Sequence, residues 1–246
     1  MLDELVQLLK NESNQNLSTS FFKLSLPDQF RALCNVRPAV KADKRLLELQ
    51  DKYLQILVKE KGIVDVNKME GDLVNWQGDI TRLNSDAIVN ACNAQLLGCF
   101  QPLHNCIDNI IHTYAGIQVR KDCNEIMRGK KLPNGEVKVT KAYNLPSKYI
   151  FHTVGPIVRG LEPTAKDQID LKNCYLNSLI EAKKMNLESI TFCCISTGVY
   201  SYPNEKACEL AVEIVKNWQK ENPGLKVIFN TFLDEDTRYY EKQLSK

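Results

Sequence analysis

The sequence predicts an α/β protein, a layered domain with a largely parallel or mixed sheet behind a short helical segment. Three observations carry that expectation. After Gly62, short apolar runs suited to buried strands alternate with longer stretches in which apolar residues recur every three or four positions. Before Gly62 only the helical spacing occurs. The chain has 246 residues, 43% of them hydrophobic and 25% charged, enough for one large domain with its own core plus a small appendage. We set the boundary at 1–68 for the helical extension and 69–246 for the main domain.

Taken in order, Leu2, Leu5, Val6, Leu8 and Leu9 form one face of a short first helix. The polar stretch at 11–20 is expected to be a loop. Pro27 and Asp28 suit the first turn of a second helix ending near Asn35. Pro38 opens a third, in which Ala42, Leu46, Leu49, Tyr53 and Ile56 line one face until Gly62. Leu73, Val74 and Trp76 mark a strand before Gly78, and Asp86 to Ala91 a buried one. Helical spacing then runs from about Leu103 to Met127, and Pro133-Asn134-Gly135 is a turn. Val137 and Val139 begin a strand and Tyr149–Val154 is another, followed by a helix at about Ala165–Met185 and a strand at Ser189–Ile195. The loop 196–200 leads to a helix opened by Pro203. A last strand at Val227–Phe232 precedes a charged helix from Asp234.

The net charge is only +2, from 32 basic and 30 acidic side chains, without the basic excess of a protein whose main partner is nucleic acid. No apolar run approaches membrane-spanning length. The first residues lack the basic start and apolar core of a secretion signal, so the expected location is the cytoplasm. Nine cysteines, an odd number, then read as reduced thiols, with any cluster better suited to a metal than to a disulfide.

The chemistry concentrates between Val89 and Gly116. Asn90 and Asn93 follow an apolar run, and Cys99, His104, Cys106 and Asp108 come next. Thiolate and imidazole are donors zinc prefers, and three protein ligands leave a fourth position open. They can converge only if the loop, stiffened by Pro102, curls before the helix. The competing reading is two buried cysteines and a stray histidine. Asp108 near a helix start is either helix-dipole electrostatics or a general base. His112, one turn on, reads as a packing histidine. Ser196-Thr197-Gly198-Val199-Tyr200 has the small residues of a phosphate-wrapping loop, but lacks the Walker pattern. Gly78-Asp79-Ile80 is either a plain turn or an aspartate accepting from an adenine amino group. Adjacent Cys193 and Cys194 read as core thiols on opposite faces of a strand.

Taken together, QGDIT (77–81), DAIVNACN (86–93), IDNIIHTYAG (107–116), GEVKVTKAYNLPSKYIFHTVGP (135–156) and ISTGVYSYP (195–203) resemble, in order, the motifs of the macrodomain family over about residues 69–240. The resemblance implies a macrodomain-like three-layer α/β/α fold with a mixed central sheet that binds ADP-ribose. Where hydrolytic members usually carry a run of glycines, this chain carries the longer LLGCFQPLHNCID, ending at Asp108. That resembles the zinc-dependent subgroup, which also has an N-terminal helical extension. The resemblance implies one zinc per chain on Cys99, His104 and Cys106. It implies adenine contacts from Asp79 and Ile80, and a diphosphate loop of Ser196, Thr197, Gly198, Val199 and Tyr200. Asn93 would lie at the distal ribose, and Cys106, Ile107 and Asp108 against the bound ADP-ribose, with Asn93 and Asp108 serving catalysis.

The implied function is removal of single ADP-ribose units from proteins. The implied substrate is a lipoyl-carrier protein related to the glycine-cleavage H protein, working with a sirtuin-like ADP-ribosyltransferase. Two rivals stand beside it: a non-catalytic ADP-ribose reader braced by zinc, and a thiol enzyme with Cys106 as nucleophile and His104 as base.

Overall fold

The computed structural model describes residues 1–13 and 17–246. Three helices come first: α1 (Leu2–Ser13), α2 (Leu26–Val36) and α3 (Lys44–Lys61). The expected loop at 11–20 is shorter at its start, because α1 continues through Ser13; positions 14–16 lie outside the described residues. Ser25 caps α2 by accepting from the Asp28 amide, with Pro27 in the first turn. The third helix starts at Lys44 and not at Pro38, because Asp43 is the cap, accepting from the Arg45 amide at 2.7 Å. The residues between wrap the Arg37 guanidinium, which donates to the Val40 carbonyl at 2.9 Å and to Glu12 at 2.8 Å. Gly62, with φ +74°, ends α3.

The main body carries β1 (Leu73–Gln77), β2 (Ala87–Ala91), α4 (Ile107–Ala115), α5 (Gln118–Met127), β3 (Val137–Lys141), β4 (Tyr149–Thr153), α6 (Ala165–Lys184), β5 (Ser189–Phe192), α7 (Asn204–Glu221), β6 (Lys226–Thr231) and α8 (Asp234–Leu244). The six strands form one mixed sheet in the order β1-β6-β5-β2-β4-β3. All neighbours are parallel except β3, which runs antiparallel to β4. Helices α4 and α5 cover one face; α6 and α8 cover the other, with α7 packed between them. Strand residues such as Ile88, Phe151, Ile190 and Val227 are wholly buried, as a sheet covered on both faces requires. This is the three-layer α/β/α fold with a helical N-terminal extension.

The main body adds further differences from the sequence reading. The helical stretch expected over 103–127 is two helices, broken at Gly116 (φ +109°), where a Cβ would meet Gln118 Oε1 at 2.7 Å and Gln50 Nε2 at 2.8 Å. The apolar spacing runs through the break, because both helices bury a face on the same side. Strand β5 ends at Phe192, so Cys193 and Cys194 leave the sheet and turn toward its carboxyl edge.

The extension has a core of its own, built from Leu5, Val6, Phe30, Leu33, Leu46, Leu54 and their neighbours, and Ile117 of the main body joins it. Full burial of each such side chain contributes about 1.5–3 kcal/mol. Arg120 of α5 fastens the two parts. It is 4% exposed, and its guanidinium donates to the carbonyls of Leu97 (2.6 Å), Cys34 (2.9 Å), Asn35 (2.9 Å) and Arg37. Arg120→Ala strands these buried acceptors and is expected to cost roughly 3 kcal/mol in urea unfolding. A loss below about 1 kcal/mol would show that the guanidinium carries little of the junction.

Candidate active site

Parallel strands deliver their outgoing loops to one edge, and ligands of open α/β sheets bind outside that edge. Here the segments leaving β2, β4, β5 and β6 surround a cavity of about 610 Å³. That is within the usual range for a small-molecule site.

One wall is the loop from Asn93 to Cys106. Three left-handed residues curl it: Leu96 (φ 61°), Gly98 (φ 77°) and Leu103 (φ 60°). For the two leucines this conformation costs about 1–2 kcal/mol each. Leu96 is wholly buried, and Leu103 packs against the core of the extension. Asn93 closes the turn, donating from Nδ2 to the Gly98 carbonyl at 3.0 Å and accepting the Gln95 amide at 3.0 Å. Its side chain therefore shapes the loop while lining the cavity.

The curl brings Cys99, His104 and Cys106 together. Their ligand atoms lie within 4.8 Å of one another, with Cys99 Sγ 3.5 Å from His104 Nδ1. All three line the cavity and are half-buried. Cys106 caps α4, its sulfur accepting from the Asn109 amide at 3.4 Å. Burial pushes the Cys106 thiol up to about 12, against the pull of that amide, and nearby Cys99 and Asp108 raise it further. Two thiols and an imidazole converging on a partly open space fit a zinc ion by donor type and number. With its proton held so firmly, the Cys106 sulfur can act as nucleophile or ligand only where a cation beside it favours the thiolate.

Asp108, in the first turn of α4, is 5% exposed and lines the cavity floor. Burial raises its carboxyl to about 6, although Asn90 donates to it at 2.8 Å and the Arg120 charge favours ionisation. Behind it sits a buried polar layer. His152 bonds Thr140 at 2.9 Å, and His112 Nε2 is 3.4 Å from Asp108. Burial holds both imidazoles below their usual range, which favours their neutral form. His112 does not line the cavity.

The opposite wall is Ser196-Thr197-Gly198-Val199-Tyr200. Amides of Ser201 and Tyr202 close this loop on the Gly198 and Ser196 carbonyls, each at 3.0 Å, and Ser196 is itself left-handed (φ 66°). Ser196 Oγ is buried and has no protein partner among the described residues.

Asp79 and Ile80 follow β1 and are not among the residues that line this cavity. Ile80 is 2% exposed, and Asp79 caps the short turn Ile80–Arg82. Burial would raise the Asp79 carboxyl, but Lys61 (2.7 Å) and Thr81 hydrogen-bond it and hold it below the usual carboxylate range. Sequence reasoning missed Phe100, Gly155, Cys193, Cys194, Asn230, Phe232, Leu233 and Asp236, all on the lining. The available clue was position: each of the last seven follows, or stands at, the carboxyl end of β4, β5 or β6. Phe232, 73% exposed, sits directly after β6.

Gly155 must be small, because a Cβ there would overlap Ser196 Oγ and lie 2.9 Å from Ile195 Cγ2. Gly155→Ala is expected to push the 196–200 loop outward and cost about 1–3 kcal/mol in thermal or urea unfolding. Unchanged stability would mean the loop yields freely.

Residues 89–211 match the Macro domain family. A protein named Protein-ADP-ribose hydrolase from Staphylococcus aureus (strain MRSA252) is 44% identical over 254 residues, covering 100% of this chain and 95% of the relative. The Oceanobacillus iheyensis macrodomain with ADP is 36% identical and superposes with a TM-score of 0.63 over 70% of this chain and 90% of that one. The Trypanosoma brucei macrodomain in complex with ADP-ribose gives a TM-score of 0.65 at 26% identity, over 98% of this chain and 95% of that one. With the family model matching half of the chain and a relative of 44% identity aligned along all of it, the chain belongs to the macrodomain family.

Proposed function

We propose that this chain is a protein-ADP-ribose hydrolase that removes single ADP-ribose units from modified proteins with a zinc ion held by Cys99, His104 and Cys106. The observation that carries the reading is position. The three donors open into the same cavity as Asp108, on the loop that joins Asn93 to it. A brace remote from substrate would have no need of that placement. The relatives named for this hydrolysis, and the solved relatives holding ADP and ADP-ribose, support the substrate class.

Along the cavity, Phe232 and Leu233 offer apolar surface for the adenine. The Ser196–Tyr200 loop offers hydroxyls and backbone amides to the diphosphate, and the unpartnered Ser196 Oγ is one donor available to it. Asn93, Ile107 and Asp108 bound the space left for the distal ribose. Asp108, fixed by Asn90, orients a ribose hydroxyl or takes a proton from the attacking water. Zinc on the three donors would supply Lewis acidity at the scissile end and ease deprotonation of water near neutral pH. By the family resemblance, the modified partner is a lipoyl-carrier protein related to the glycine-cleavage H protein. The opposing activity is a sirtuin-like ADP-ribosyltransferase.

Elemental analysis of the purified protein should find one zinc per chain. Chelation should abolish release of ADP-ribose from a mono-ADP-ribosylated protein, and zinc should restore it. Cys99→Ala and His104→Ala are expected to lose metal and at least 100-fold in hydrolysis, while ADP-ribose affinity changes only a few-fold. Metal-independent turnover would refute the zinc reading. Tight binding with zinc present and no turnover would establish the reader instead.

A further inference from the structure

The helical extension reaches the donor loop directly. From α2, the Arg31 guanidinium donates to the carbonyl of His104 at 2.7 Å and to Asn105 Oδ1 at 3.3 Å. It also donates to Asn109 Oδ1, at 3.1 Å from Nη2 and 3.3 Å from Nε. Asn109, so oriented, donates from its amide nitrogen to the Gln101 carbonyl at 3.0 Å. One turn along α2, Asn35 accepts the amide of left-handed Leu103 at 3.0 Å and donates to Thr113 on α4 at 3.0 Å. The loop's own backbone adds little here: the His104 amide reaches the Gln101 carbonyl at 3.3 Å.

We infer that α2 is a template for the Cys99–Cys106 loop, and that Arg31 is a positioning residue for the site. Arg31 does not line the cavity and acts through His104, Asn105 and Asn109. A planar fork can hold a carbonyl and two side-chain amides at once, whereas a lysine ammonium can hold only part of that set. The extension, which among the described residues contributes no side chain to the cavity lining, thereby enters the activity by setting how closely the donors converge. In its second part this rests on the zinc reading above, so the test has one arm that does not.

Arg31→Ala, Arg31→Gln and Arg31→Lys would be compared with Arg45→Ala. The control removes only the pair between α3 and Glu4 of α1 (2.7 and 2.9 Å) and leaves the loop untouched. In metal-free protein, iodoacetamide labelling of Cys99 and Cys106, mapped by mass spectrometry, should be at least fivefold faster in Arg31→Ala and Arg31→Gln. It should be intermediate in Arg31→Lys and unchanged in Arg45→Ala. With zinc present, Arg31→Ala should lose at least tenfold in zinc affinity and in kcat, with ADP-ribose Kd within twofold and Arg31→Lys partly restored. Labelling at the wild-type rate would overturn the inference, as would faster labelling with zinc affinity and kcat unchanged. If the wild-type protein takes up no zinc, the functional reading fails and the labelling rates alone decide the template role.

Discussion

A single buried guanidinium joins the three parts of this molecule. Arg120 stands on α5 of the main body, yet its acceptors are Leu97 on the donor loop and Cys34, Asn35 and Arg37 at the end of α2. The ring of Phe100 lies over it, 4.5 Å from Cζ. A buried charge is tolerable only with its hydrogen bonds satisfied, so these groups must keep their arrangement together. The carbonyls at the end of a helix are the acceptors that such a cation suits best. Extension, loop and sheet are therefore one packed unit, although the extension keeps a separate apolar core.

The site follows from two further constraints. Parallel pairing sends the exits of β2, β4, β5 and β6 to one edge, where their loops enclose the cavity. Within the β2 exit, left-handed Leu96, Gly98 and Leu103 fold the chain back on itself so that donors five and two residues apart meet. That strained path is held from outside by α2 and α5 and from below by Asn93, which bonds across the turn. The result sets soft donors and a buried carboxyl, Asp108, against one space. A module evolved only to grip a nucleotide would not need both.

Much of this was legible in the chain itself. The strands announced themselves as apolar runs, and the alternation of strand and helix gave the layered class. The need for Cys99, His104 and Cys106 to curl before the helix followed from their spacing, and the left-handed residues supply the curl. What stayed hidden depends on contacts distant in sequence. Arg31 meets His104 across 73 positions, and nothing around Arg31 marks it as more than a helix-surface arginine. Lys61 of the extension holds Asp79 and lies over the Tyr114 ring, a tie that nothing around either residue announces. Gly116 breaks a helix whose apolar spacing continues unbroken. Cys193 and Cys194 continue an apolar run past the point where pairing of β5 with β2 and β6 ends. Local pattern reports which face is buried; it does not report where neighbouring strands part.

The central claim is that the three donors form a catalytic centre open to the nucleotide and not a closed brace. X-ray absorption at the zinc edge, recorded with and without ADP-ribose, tests it most directly. The account predicts two sulfur donors near about 2.3 Å and one histidine nitrogen near about 2.0 Å, completed by a lighter exchangeable donor whose signal changes when ADP-ribose is added. Four protein donors with a spectrum indifferent to ADP-ribose would contradict it.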